Sequence, residues 1–443
     1  FPKIFTFMSL LSEDNNSRRV FSEALNEATP YQRDPKYYYP DGSVVILVGD
    51  VLFKNMKFQL SLVLCSHNTN DTSSRGPAPR EQLINSNDNN PVKLKGFIPD
   101  QFRNFMSVIV GLPSDTGYLA LLTGAQDIKN HTQYLLIQYL DVASISQWFG
   151  MTELEKWARG QLQLVLRSHH KFAHNEWDKD TLHRLHSYAH SSGGSAVRLP
   201  VKILIQYFIS ISADKDQRQP PAPSNFMTCI ELFKDETLKQ RDSSLFGCVF
   251  SAIVSQPHRE WTSTLTQKDK ALLYVAQVQL TSISNVLQSI HWLLTPPSEL
   301  PFFTRMCSTC HAVLPRLWRD TFGKCGNLNS SVLLQDISSL ARLPQYYHSL
   351  SQTWGEVDCM GLPSSSRQPS TSRPFGIMGY TSSLLNLSLA LASGNPSIML
   401  AQHAVSERPR EGQRCCTYYL PRVTTLMDEV YNELAGQYTR FAP

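Results

Sequence analysis

From Val44 to Val48 every residue is apolar and four of the five are β-branched. Gly49-Asp50 is a two-residue turn signal and Val51-Leu52-Phe53 is apolar again, which predicts a hairpin buried on both faces. Phe58, Leu60, Leu62, Val63 and Leu64 predict a short buried helix, and Val92-Lys93-Leu94 a third strand. Pro99-Asp100 opens a helix with Asp100 as its N-cap, because Phe102, Phe105, Met106 and Ile109 recur at helical spacing. A further helix is expected around Tyr134 to Ile145. Thr152-x-x-Glu155 then reads as a capping box ahead of Leu154, Trp157, Ala158, Leu162 and Val165.

Beyond Leu166 only helical periodicity remains. Thr266 precedes a stripe of Leu272, Ala276, Leu280, Ile283, Leu287, Ile290 and Leu294 that ends at Pro296-Pro297, predicting one buried helix of more than six turns. Val201 to Ile211 and Leu245 to Val254 complete an all-helical second unit. Three stretches rich in Pro, Ser, Asn and charge read as connections: Asp71 to Pro91, Ala213 to Ser224 and Leu362 to Pro374. No repeat of array length is present. The expected organisation is an N-terminal arm (1–35), a mixed domain (36–168), a helical region (169–300), a cysteine-containing helical segment (301–361), and a Ser/Pro-rich linker with a C-terminal helical tail (362–443). The fold class is α+β, a small mixed sheet flanked by helices followed by a mainly α-helical C-terminal region.

Composition narrows the function classes. The chain has 443 residues and a formal charge of +4, so no strong field marks a nucleic-acid binder. With 42% hydrophobic residues it is neither wholly disordered nor collagen-like. Nine cysteines, an odd number, leave no complete disulfide framework and fit a reducing compartment. The first residues show no secretory signal, and the uncharged window from Pro374 to Ser406 is too broken by Asn, Gly, Pro and Ser for a membrane span. An intracellular protein, cytoplasmic or nuclear, is expected. Phosphate loops, dinucleotide fingerprints, nucleophile elbows and HExxH are absent, so no catalytic residue is assigned and the chain is expected not to be an enzyme.

The order of a strand hairpin, a helix, a third strand and a run of helices resembles the BTB/POZ domain, in the version common in filamentous and mushroom-forming fungi. The residues that carry the likeness are Tyr37 to His67, Asn90 to Gly111 and Tyr134 to Leu162, within about 130 of the 443 residues. The resemblance implies homo- or hetero-oligomerisation, with the first helix at the dimer face, and a role as adaptor for ubiquitin ligases or transcription complexes. Cullin and transcription-complex partners follow from it. The chain departs from the family where a histidine usually opens the first helix, since Asn55-Met56-Lys57 stands there. The Phe-x-x-Met-Phe that often closes that helix is missing after Cys65.

Two constellations bear on chemistry. His183, His186 and His190 share one helix face, where imidazoles can bind zinc or copper, and the plainer reading is a wet, weakly basic face. Cys307-Ser308-Thr309-Cys310-His311 matches the c-type haem pattern, while Cys325 downstream makes zinc the better metal. Cys359, Cys415 and Cys416 are possible further thiolates but distant in sequence. Phe303, Cys307, Cys310 and Leu314 also read as one apolar helix face. The expectation is therefore core packing and no cofactor; if a metal binds, its candidates are Cys307, Cys310, His311 and Cys325. The expected function is a non-enzymatic adaptor, dimeric as the resemblance implies, with Phe58 and Leu62 at the interface and neither nucleic acid nor membrane as partner. The alternative is a zinc-dependent protein using the Cys307 to Cys325 segment.

Overall fold

The computed structural model describes residues 31–55, 86–112, 114–191, 195–214, 223–261, 264–280, 287–290, 303, 306–322, 337–359 and 414–441. They divide into two compact units, Phe1–Leu164 and Val165–Pro443. The first holds a four-stranded mixed sheet and the second only helices among its described residues, so the chain is α+β and rich in helix.

In the first unit β1 (Gln32–Tyr38), β2 (Val44–Val48), β3 (Val51–Asn55) and β4 (Val92–Leu94) lie in the order β1-β3-β2-β4. β2 and β3 form the hairpin, closed by Val48 opposite Val51, with Gly49 at φ 61 supplying the left-handed turn residue. β4 runs parallel to β2, and β1 parallel to β3. Every residue of β2 is buried. Val44, Ile46 and Val48 pack with Phe102, Phe105, Met106 and Phe149, while Val45 and Leu47 join Leu52 on the other face. β1 is irregular between Arg33 and Tyr38, and the buried Asp34 carboxylate repairs the break. Its Oδ1 accepts the backbone N–H groups of Lys36 at 3.0 Å and Tyr37 at 2.8 Å, and its Oδ2 accepts Arg103 Nε at 2.7 Å.

Helices α1 (Pro99–Ile109), α2 (Thr116–Thr123), α3 (Gln133–Trp148) and α4 (Thr152–Leu166) follow. The N-cap of α1 is Ile98 and not Asp100, because Pro99 takes the first helical position, where no N–H is needed. Gln101 Oε1 accepts the Ile98 N–H at 3.1 Å, and Asp100 instead pairs with Arg103. The expected helix from Phe58 to Leu64, with Leu62, lies outside the described residues.

The second unit contains α5 (Lys179–Ser191), α6 (Ser195–Ser212), α7 (Pro223–Phe233), α8 (Glu236–Arg241), α9 (Ser243–Val254), α10 (Gln267–Gln279), α11 (Ser308–Phe322), α12 (Ile337–Ala341), α13 (Leu343–Gly355) and α14 (Cys415–Phe441). α9 is buried from Ser244 to Val254, so it is the central helix, and it packs against α14, α12, α6 and α7. The C-terminal helix is no tail: Tyr419, Val423, Met427, Val430, Tyr431 and Leu434 all bury in this core. The six-turn helix expected from the Leu272 stripe is interrupted. α10 ends at Gln279, Leu280 leaves helical geometry at ψ 9, and a separate short turn holds Gln288–Ile290. Thr281-Ser282-Ile283-Ser284-Asn285 follows, a run of weak helix formers that apolar spacing alone does not register. Ile283 and Leu294 lie outside the described residues.

The crossing of α9 and α14 depends on Gly247. A Cβ there would lie 1.9 Å from the Tyr431 carbonyl oxygen, which is backbone and cannot swing away. Gly247→Ala is expected to destabilise the protein by about 2–3 kcal/mol, read from the denaturant midpoint.

A second consequence of the packing is acid sensitivity. The rings of His169 and His348 lie 5.3 Å apart, those of His170 and His348 4.9 Å, and Tyr207 stands 5.0 Å from His348. Burial lowers the pKa of His169 to about 3 and of His348 to about 4, and the neighbouring imidazoles add to the effect. These groups are neutral when folded but take up protons near pH 6.5 when unfolded, so their contribution is intact above pH 6.5. It is lost as pH falls from there toward 4. Allowing for solvent at the half-buried rings, stability should fall by roughly 2 kcal/mol between pH 7 and 5. Denaturation at the two pH values checks this, and a slope unchanged in His348→Phe would place the sensitivity elsewhere.

Candidate metal centre

Four cysteines from three separate stretches of sequence meet in the second unit. Cys307 stands just ahead of α11 and Cys310 in its first turn; Cys359 follows the end of α13, and Cys415 opens α14. Their Sγ atoms all lie within 4.8 Å of one another, and Cys307 Sγ and Cys359 Sγ are 3.5 Å apart. Cys307, Cys310 and Cys415 are buried and Cys359 is half-buried.

Each sulfur accepts an N–H bond. Cys310 N donates to Cys307 Sγ at 3.4 Å, Cys307 N to Cys415 Sγ at 3.4 Å and Cys415 N to Cys359 Sγ at 3.4 Å. Trp354 Nε1 donates to Cys310 Sγ at 3.3 Å. Three donors are backbone groups at the starts of α11 and α14, where N–H groups lack helical acceptors, and the fourth is a buried indole. N–H groups aimed at sulfur favour the thiolate form.

Burial and the neighbouring thiols act the other way. The pKa of Cys415 is pushed up to about 12, first by burial, and that of Cys310 higher still. Without a cation Cys310 and Cys415 stay protonated at neutral pH. A metal ion reverses the balance, since coordination deprotonates thiols outright. For a tetrahedral ion with bonds of about 2.3 Å, sulfur atoms are about 3.8 Å apart, which matches this spacing. A polynuclear iron–sulfur cluster places its own iron and sulfide between the cysteines and holds them further apart. The residues fit a single tetrahedral ion, zinc by the chemistry of an all-sulfur set. Four protein ligands leave no position for water or substrate, so such an ion is structural.

The arrangement changes the expected ligand set. His311 is exposed and outside the thiol group, so the haem-like pattern does not act as a unit. Cys325 lies outside the described residues, as do Phe58 and Leu62. Cys416 is buried but does not belong to the group. Cys359 and Cys415 stood in the sequence among distant candidate thiolates, with nothing to single them out from Cys416; their convergence comes from packing α11, α13 and α14 together.

The histidine face of α5 is also not the solvated surface expected of it. His183 Nε2 makes a short contact with Asp235, the N-cap of α8, and Lys179 Nζ reaches the same carboxylate at 3.3 Å. One turn on, buried His186 places Nε2 3.2 Å from Oδ2 of Asp242, the N-cap of α9. Burial acts to raise the pKa of Asp242, but His186, Lys202 and the Leu245 N–H together hold it well below the usual carboxylate range. Sequence spacing placed the histidines on one face and could not supply the aspartates, which lie more than 50 residues away.

No helix among the described residues is long and apolar enough to cross a membrane. No family model, curated protein or solved structure matches the chain.

Proposed function

We propose that this chain is a non-enzymatic interaction protein in which the N-terminal unit oligomerises and the C-terminal helical unit, stapled by a structural zinc ion, engages a protein partner. The observation that carries the reading is the four-thiol group with one N–H donor to each sulfur. It is closed in the manner of structural rather than catalytic zinc. Zinc there ties the starts of α11 and α14 to the end of α13. The alternative of a zinc-dependent protein thus merges with the adaptor reading, with Cys359 and Cys415 in place of His311 and Cys325.

The BTB/POZ-like identity of the first unit is part of the same proposal. In its support, the β2–β3 hairpin is followed by β4 parallel to β2 and then by α1 to α4, the element order that the resemblance implies. Under this reading the partners are a second copy of the chain and then a cullin or a transcription complex.

Two measurements test it. Elemental analysis of protein purified without chelator should give at least one zinc per chain, and Cys415→Ser should lose one equivalent and several degrees or more of thermal midpoint, because binding energy at such a site is folding energy. One iron per chain would change the metal; no metal in protein kept reduced throughout would sink the zinc reading. For oligomerisation, light scattering at micromolar concentration should return twice the 50.1 kDa chain mass, and the monomer mass would count against it.

A further inference from the structure

The tetrathiolate group does not account for the histidines of α5. We propose that His186, His190 and Asp242 form a second metal site, which takes a divalent transition-metal ion through two imidazole nitrogens and one carboxylate oxygen and keeps coordination positions open. One ring nitrogen of each histidine and an oxygen of Asp242 lie within 4.8 Å of one another. Helical spacing brings the two rings together, with centroids 4.2 Å apart.

Three details favour a metal over a plain ion pair. The separation of His186 Nε2 from Asp242 Oδ2 is 3.2 Å, longer than the usual charge-assisted bond of about 2.7–2.9 Å. It is close to the edge of about 3.3 Å between ligands that share a tetrahedral zinc at about 2.0–2.1 Å. Next, His190 Nδ1 lies 2.9 Å from the His186 carbonyl oxygen. A carbonyl only accepts, so Nδ1 carries the proton and Nε2 keeps its lone pair, the tautomer that a ligand histidine needs.

Finally, Asp242 is held as a ligand carboxylate would be. Its Oδ1 accepts from Leu245 N at 3.0 Å and Ser244 Oγ at 3.0 Å, with Lys202 Nζ at 3.6 Å, and Oδ2 is turned toward His186. Lys202 opposes a cation, but it also sits 2.9 Å from Asp428 Oδ1, which offsets its charge. His190 is exposed, so an ion can enter from solvent and keep water as a ligand. The donor set of two nitrogens and one oxygen suits zinc, cobalt or nickel, and differs in kind from the four thiols.

The test uses the full chain with its thiol centre already filled with zinc. Cobalt(II) is titrated, bound metal is counted after equilibrium dialysis, and the visible spectrum is recorded. The expected result is one additional equivalent whose weak ligand-field bands lack the intense sulfur-to-cobalt charge transfer. His190→Ala and His190→Gln, at an exposed position, should fold normally and weaken that equivalent by about 100-fold or more, while His311→Ala leaves it unchanged. Absence of an additional equivalent, wild-type affinity in both His190 variants, or a sulfur charge-transfer band from the added cobalt would overturn the proposal. Loss of metal from the thiol centre alone bears on the first site and not on this one.

Discussion

Four thiols within 4.8 Å of one another can all ionise only around a cation, and the second unit carries that constraint. At 4 Å in a medium of effective dielectric 20, each like-charged pair costs on the order of 4 kcal/mol. A divalent cation at the centre would convert the repulsion into attraction, with the N–H groups directed at the sulfurs absorbing the residual negative charge. Bound by all four, it would also fix the directions of the three helix ends that carry these cysteines. Trp354 links this polar point to the surrounding core, because its indole both donates to Cys310 and stacks near Tyr419 at 6.4 Å.

Away from that point, the second unit is organised by α9 and by the caps that precede it. Asp235 and Asp242 bring α8 and α9 under the α5 histidines, and each carboxylate caps a helix while meeting an imidazole. One side chain thus does two jobs, fixing where a helix begins and which neighbour it touches. α14 then lies against α9 at a distance that only a glycine permits.

What could be read from the sequence follows the range of the interaction. The β2–β3 hairpin, the strand at Val92 and the apolar face of α1 are local patterns, and each is present. The N-cap of α1 was misplaced because an aspartate is the usual cap and the competing claim of Pro99 is positional. The stripe from Leu272 to Leu294 kept its spacing beyond the point where the backbone leaves the helix, since periodicity records which side is apolar and not whether the helix continues. Cys307 and Cys310 were legible as a pair. Cys359 and Cys415 were legible only as distant candidates alongside Cys416, and Asp242 was not legible as a partner of His186, because these meetings depend on long-range packing that no window of sequence contains.

Cys359 and Cys415 stand at the two ends of residues 360–414, so an ion bound to both closes that stretch at its base. The entropic cost of closing a loop grows only slowly, by about 0.6 kcal/mol for each doubling of length. With such an ion in place, the stretch between the two cysteines could lengthen, shorten or change composition at little cost to the helices, and the ion rather than the peptide backbone would set the spacing of α13 and α14. The centre would then act as a splice: a chain cut between the two cysteines would still have both of its ends held on the same metal.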